Sequence, residues 1–200
     1  KKITIFGSTG SIGQSTLDII KNHPDKYEIV GLSADKNYER MLQQVNEFKP
    51  KIISLSNSEA YKQFIDQNKL KDLKVINGKE SYEEILDFKT DLVVAAITGA
   101  AGLMPVVSAL NCGVSVALAN KESLVCSGML VTKLAQKKNV KILPVDSEHN
   151  AIYQVLDYKN KSLVSKLILT ASGGPFLNHN QEQLKKVTPK EAVKHPNWSM

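Results

Sequence analysis

The sequence is short of cysteine, arginine and aromatic residues, and it has no long apolar run. Cys112 and Cys126 are the two cysteines among 200 residues. They show neither metal-type spacing nor a paired framework, so they fit a reducing compartment and read as two buried small hydrophobes. Arg40 is the single arginine, and the formal charge of +6 rests on lysines scattered among acids. Nucleic-acid surfaces cluster their cations with arginines or aromatics beside them, so no nucleic-acid partner is expected, while small anions remain suitable. The longest nearly apolar run, Leu92 to Ala101, is broken by Thr98 and Gly99 and is too short for a bilayer, so no membrane partner is expected. The chain opens on a strand pattern and not on a charged segment before an apolar block, so no signal peptide is expected in it. It does not begin with Met, which leaves its true N-terminus, and any targeting segment before it, open.

What is present is an ordinary globular composition, 42% hydrophobic and 23% charged, which excludes wholesale disorder. The length suits one large domain, or one domain and part of a second. A chain of this size buries roughly 70% of its unfolded surface and needs no staples. Short apolar strands alternate with helices. Lys2 to Phe6, Tyr27 to Ser33, Lys51 to Leu55, Leu73 to Ile76, Asp91 to Ile97, Val114 to Ala119 and Val140 to Leu143 read as strands. Between them, apolar residues at helical spacing, such as Met41, Leu42, Val45 and Phe48, mark helices. That rhythm predicts an α/β fold, a doubly wound parallel sheet with helices on both faces. After Pro144 the rhythm changes: a strand is expected over Leu163 to Thr170, then a Ser-Gly-Gly-Pro turn and a polar tail. The expected boundary gives a dinucleotide-type domain over 1–144 and a second domain from 145.

Five strings could carry chemistry. Gly7-Ser8-Thr9-Gly10-Ser11-Ile12-Gly13 lies in the first strand–helix turn, where glycines let backbone approach a pyrophosphate seated on a helix N-terminus. Ser33-Ala34-Asp35-Lys36-Asn37 ends the second strand and carries both an acid, which suits NAD, and a cation, which suits NADP. Asn120-Lys121-Glu122 stands at a strand end that opens on the ligand crevice, or else Asn120 simply caps the following helix. Asp146-Ser147-Glu148 offers two carboxylates that share a side if the segment is extended, a set suited to Mg2+ or Mn2+; a polar capping loop is the alternative. Ser172-Gly173-Gly174 can form an anion-holding nest or a plain turn. Thr188-Pro189-Lys190-Glu191 reads as a capped short helix running toward His195, with Trp198 beyond it.

Taken in order, GSTGSIG, the KN pair, ITGAAGL, ALANKESLV, PVDSEHNA, ASGGPF and HPNWSM resemble the 1-deoxy-D-xylulose 5-phosphate reductoisomerase family of non-mevalonate isoprenoid biosynthesis. The resemblance covers the whole chain and about the first half of a family member. It implies a Rossmann-like NADPH-binding domain over 1–144 and the start of an α+β catalytic domain over 145–200, truncated in its flap. It also implies a divalent-metal-dependent rearrangement and reduction of a sugar phosphate. Thr9, Gly10, Ser11, Ile12, Asp35, Lys36, Asn37, Asn120 and Glu122 then match cofactor contacts, and Asp146 and Glu148 match metal ligands. Lys121, Ser147, Glu148, Ser172, His195 and Trp198 match substrate contacts, with Lys121, Glu148 and His195 the catalytic candidates. A homodimer in the bacterial cytoplasm, or in the plastid stroma of a eukaryote, is the implied setting. Asp35 departs from the glycine often found there, and the segment expected to bring a third metal carboxylate and further phosphate ligands follows Met200. The 200-residue piece is therefore expected to bind NADPH and to turn over little by itself. Two rival readings exist: a semialdehyde dehydrogenase, which needs a catalytic cysteine with a histidine partner, and a regulatory cofactor module, which has no use for the DSE carboxylates.

Overall fold

The structure is a computed structural model that describes residues 1–78, 82–170 and 173–196. It divides into two compact units, Lys1–Gln154 and Val155–Met200. The first contains, in order, β1 (Lys2–Phe6), α1 (Ser11–Lys21), β2 (Glu28–Ala34), α2 (Tyr38–Phe48), β3 (Ile52–Leu55), α3 (Ser58–Gln67), β4 (Lys74–Asn77) and α4 (Tyr82–Leu86). It continues with β5 (Leu92–Ala95), α5 (Leu103–Asn111), β6 (Ser115–Leu118), α6 (Glu122–Lys138), β7 (Ile142–Pro144) and α7 (Ser147–Val155), whose last residue opens the second unit.

The seven strands form one sheet in the order β4-β3-β2-β1-β5-β6-β7, and every pairing is parallel. This is the doubly wound, Rossmann-like sheet that the alternation predicts. Its winding reverses between β1 and β5, so the crevice lies at the carboxyl ends of the strands there.

Alternate residues of each strand feed two different cores. Ile3, Ile5, Leu32, Ile53 and Leu55 face Leu17, Met41, Val45 and Phe64 of α1, α2 and α3. Phe6, Ile52, Val93, Val116 and Leu118 face Ile85, Val106, Leu110 and Val131 of α4, α5 and α6. A strand buried on both faces must be apolar at consecutive positions, which is why these strands read as continuous hydrophobic runs. Each fully buried Leu, Ile or Phe contributes about 1.5–3 kcal/mol, so the two layers hold the sheet rigid beneath its loops.

Local chemistry sets the helix ends. The Asn37 side chain accepts from the Arg40 N–H at the start of α2, and α2 stops at Lys49, whose φ of 47° precedes Pro50. Asn57 accepts from the Glu59 and Ala60 N–H groups to start α3. Both cysteines are exposed, which corrects their reading as buried hydrophobes. Cys112 follows the end of α5, and Cys126 stands on a turn of α6 whose neighbours Val125, Met129 and Leu130 are also exposed.

The second unit has 3-10 turns over Lys161–Leu163 and Gly174–Phe176 and two short helices, α8 (Gln181–Leu184) and α9 (Pro189–Ala192). Each helix carries a capping box, Asn180 with Gln183 and Thr188 with Glu191, the second as the sequence suggests. The strand expected over Leu163 to Thr170 does not form, and Leu167, Ile168 and Leu169 stand 62, 71 and 63% exposed. A strand needs a neighbour for its backbone N–H and C=O groups, and none pairs with this segment among the described residues. No helix of the described residues is long and apolar enough to cross a membrane.

Candidate functional site

The glycine string forms the turn from β1 into α1. Gly7 has a φ of 84°, and its N–H donates to the Ser33 carbonyl at 3.0 Å. A Cβ on Gly13 would lie 2.4 Å from the Gly7 carbonyl oxygen and 2.6 Å from Ser8 Cα, so only glycine lets α1 close on the loop. Gly10 occupies the N-cap of α1 and supplies no side-chain bond, unlike Asn37 and Asn57 at α2 and α3. The N–H groups of the first turn of α1 are therefore left for an external acceptor, and the helix dipole favours an anion there. Thr9 is half-buried, and Gly10, Ser11 and Ile12 are exposed at this edge.

Below the loop lies a buried polar network that the sequence reading did not single out. Gln44 of α2 is 4% exposed; its Nε2 donates to the Ser8 carbonyl at 2.9 Å, and the Ser8 hydroxyl donates to Gln44 Oε1 at 2.7 Å. The signal was available: position 44 lies three residues after buried Met41, and a polar side chain on a core face requires a partner. Gln14 is a second omission. Its Nε2 donates to the Thr9 carbonyl at 2.7 Å and its Oε1 accepts from the Arg40 guanidinium at 2.8 Å.

Asp35, Lys36 and Asn37 are exposed just beyond β2. The Ser56 hydroxyl donates to Asp35 Oδ1 at 2.6 Å, so the acid is engaged with the loop after β3. Its charge is felt there too: burial first, and Asp35 second, push the Tyr82 phenol above its ordinary range.

At the carboxyl end of β6, Asn120 is 2% exposed and ties two loops together. Its Nδ2 donates to the carbonyls of Ile97 at 2.7 Å and Gly99 at 2.9 Å and to Glu122 Oε2 at 3.2 Å. Its Oδ1 accepts from the Ser123 N–H at 3.0 Å and from the Ser123 hydroxyl. The capping alternative for Asn120 thus has direct support. A Cβ on Gly102 would meet the Asn120 amide at 2.7 Å, so the ITGAAGL glycine gives that amide its room.

The Asn-Lys-Glu and Asp-Ser-Glu strings meet across the sheet edge. Lys121 Nζ donates to Glu148 Oε2 at 3.1 Å, although 27 residues separate them. This bond first, and the glutamate's charge second, raise the Lys121 ammonium above its ordinary range. Glu148 is lowered by its own backbone N–H first, then by Lys121 and the Ser147 hydroxyl. Both side chains are about half exposed, so the pair serves to position them and adds little stability.

Asp146 and Glu148 do not lie in an extended segment, because α7 begins at Ser147. Asp146 precedes the helix and accepts from the His149 N–H at 3.0 Å, with the His149 ring Nδ1 at 2.7 Å from the same Oδ2. The expectation that an extended backbone aligns the two carboxylates is corrected: Asp146 stands before the helix and Glu148 in its first turn. Asp146 Oδ1 and the ionised Glu148 remain hard oxygen donors for a divalent cation, with one or two carboxylates being what Mg2+ or Mn2+ usually takes from protein. No group of three or more His, Cys, Asp or Glu able to hold a metal occurs among the described residues.

In the second unit, His195 is half-buried three residues after α9. Ser172 and Trp198 lie outside the described residues. The first unit also has a cavity of about 500 Å3 lined by Lys49, Lys51, Lys71, Lys74 and Phe88. It opens at the amino ends of β3 and β4, away from the strand ends where these strings gather.

Residues 3–128 match the family profile of 1-deoxy-D-xylulose 5-phosphate reductoisomerase, and residues 142–200 match that of its C-terminal domain. The chain is 48% identical over 200 residues to the 1-deoxy-D-xylulose 5-phosphate reductoisomerase of Thermoanaerobacter sp. strain X514, covering 100% of this chain and 52% of the relative. The Clostridium perfringens strain 13 reductoisomerase is 45% identical over 203 residues, with 100% and 53% covered. Among solved structures, the Zymomonas mobilis reductoisomerase in complex with NADPH superimposes with a TM-score of 0.91 at 36% identity, over 98% of this chain and 52% of that one. A DOX-P reductoisomerase in complex with NADPH, fosmidomycin and magnesium gives 0.87 at 43% identity, over 100% and 52%. The chain thus spans about half the length of the curated relatives it matches.

Proposed function

The chain belongs to the 1-deoxy-D-xylulose 5-phosphate reductoisomerase family, and on that premise we propose that the full-length protein converts 1-deoxy-D-xylulose 5-phosphate into 2-C-methyl-D-erythritol 4-phosphate. The reaction uses NADPH and Mg2+ or Mn2+ and belongs to non-mevalonate isoprenoid biosynthesis. One observation carries the reading: the Lys121–Glu148 bond joins the Asn-Lys-Glu and Asp-Ser-Glu strings at the sheet edge onto which the uncapped α1 opens. A cofactor module without chemistry has no need of a lysine and two acids at that edge. A thiol-dependent dehydrogenase is disfavoured as well, since Cys112 sits at the end of α5 and Cys126 within α6.

When bound, the cofactor supplies the hydride, and the divalent ion supplies the charge that polarises the substrate's carbonyl and adjacent hydroxyl. The chain's own residues do the positioning. Thr9, Gly10, Ser11 and Ile12 receive the pyrophosphate; Asp35, Lys36 and Asn37 line the adenosine end; Asn120 and Glu122 stand toward the nicotinamide. Asp146 and Glu148 are the metal ligands that this chain offers. Lys121 holds Glu148 in its ionised form and presents an ammonium to the substrate's oxygens, beside the Ser147 hydroxyl. Ser172, His195 and Trp198 are the further substrate contacts proposed, and closure over the substrate would exclude water from the aldehyde. Holding substrate and nicotinamide in register lowers the barrier by replacing a bimolecular encounter with an oriented one. A homodimer is the assembly proposed, and the relatives named above are bacterial, which favours the cytoplasm.

The test is steady-state oxidation of NADPH by the full-length protein, with substrate and Mn2+ each added or withheld. Oxidation should require both, and Asp146→Asn and Glu148→Gln should each lower kcat/KM by at least about 100-fold, the scale at which a charge-stabilising group acts. NADPH oxidation that is indifferent to the metal, or unchanged in both variants, refutes the site assignment.

A further inference from the structure

Between Asp35 and Lys36, the sequence left the choice of nicotinamide open; the structure brings forward a third group. Arg40 lies in the first turn of α2, just beyond the carboxyl end of β2, and its Nη1 donates to Gln14 Oε1 at 2.8 Å. Gln14 in turn donates to the carbonyl of Thr9, so the guanidinium is tethered at the mouth of the glycine loop. The tether is a neutral amide. Among the described residues Arg40 makes no ion pair with a carboxylate, and one of the five N–H donors of a guanidinium is occupied.

The helix that carries Arg40 is fixed in register. One turn further along, buried Gln44 exchanges hydrogen bonds with Ser8, and Asn37 caps the start. The competing acid is drawn aside, since Asp35 Oδ1 accepts from the Ser56 hydroxyl at 2.6 Å. A planar, permanently charged fork suits a phosphate dianion better than a ribose hydroxyl. We propose that Arg40 takes the 2′-phosphate of the dinucleotide and is the residue that discriminates NADPH from NADH, with Gln14 holding it ready beside the pyrophosphate loop. This rests on the reading of the glycine loop as a dinucleotide site.

The experiment is a titration of the full-length protein with NADPH and with NADH, for the unaltered protein, Arg40→Met, Arg40→Lys and Lys36→Met. Arg40→Met should weaken NADPH binding about 30-fold, the scale of a lost charge-assisted pair, and shift the Kd for NADH by less than about threefold. Arg40→Lys should recover part of the loss, since an ammonium restores the charge without the fork. Equal weakening of both dinucleotides would reduce Arg40 to a brace of the loop and overturn the proposal. So would an unchanged NADPH affinity in Arg40→Met, or a discrimination lost wholly in Lys36→Met. Binding of neither dinucleotide by the unaltered protein would overturn the glycine-loop reading itself, a result separable from the others.

Discussion

Two helical glycines should respond to the same substitution with opposite signs. In Gly13→Ala the new methyl group would lie 2.4 Å from the Gly7 carbonyl oxygen and 2.6 Å from Ser8 Cα and the Ser8 carbonyl oxygen. All three are backbone atoms, so relief requires that α1 and the loop move apart. Overpacking of this kind costs about 1–3 kcal/mol or more. The helix itself gains about 1 kcal/mol from Ala over Gly, which leaves a net destabilisation of about 2 kcal/mol where the clash is near the top of its range. For a unit of this size that lowers Tm by about 4–8 °C. Gly128 of α6 is the control: the nearest atom to its added Cβ is Leu124 Cβ at 4.0 Å. Gly128→Ala, just after the kink of α6 at Ser127, should therefore raise Tm by about 2–4 °C through helix propensity. Thermal unfolding followed by circular dichroism reads both, and NADPH titration of Gly13→Ala should show a weakened loop as well. A Gly13→Ala protein that melts at or above the unaltered one would refute the close-approach argument.

Other consequences can be checked together. Asn120→Ala would leave the Ile97 and Gly99 carbonyls and the Ser123 N–H without their buried partner, and should cost about 2–4 kcal/mol in a urea unfolding series. Asp91 is held below its ordinary 3.8, first by the Lys2 backbone N–H at 2.7 Å, so its contribution is present above that value and is lost as pH falls through the lowered one. Asp91→Asn should accordingly flatten the acid limb of a stability–pH curve, and an unaltered limb would remove this bond from the account. Gln44→Leu should weaken NADPH binding by roughly 10-fold through a displaced Ser8, with a stability loss of about 2 kcal/mol from the polar groups left behind; a loss of stability without any change in affinity would make Gln44 a core residue only.

Much of the sheet was legible because strands buried on two faces leave a signature that little else does. Lys2 to Phe6 reads as β1 and is β1, and the helix marked by Met41, Val45 and Phe48 is α2. The α9 capping box was equally plain from Thr188, Pro189 and Glu191. What failed depended on partners outside the local string. Leu163 to Thr170 has the composition of a strand and, among the described residues, no strand to pair with. Asp146 and Glu148 were aligned on an extended backbone, but Asp146 does what an aspartate before a helix does and accepts from the N–H three residues on. Residue type alone places Cys112 and Cys126 in the core, and both are exposed. In sequence Gln44, Gln14 and Arg40 each look like an ordinary polar residue of an amphipathic helix; their meaning appears only when α1 and α2 are brought against the same loop.

The most direct test of the proposed function is the identity of the product. The full-length protein would be incubated with 1-deoxy-D-xylulose 5-phosphate, NADPH and Mn2+, and the sugar phosphate recovered and read by NMR. The account predicts a branched 2-C-methyl-D-erythritol 4-phosphate, formed one for one with NADPH consumed. A straight-chain reduced sugar, or unchanged substrate alongside intact NADPH, would contradict it.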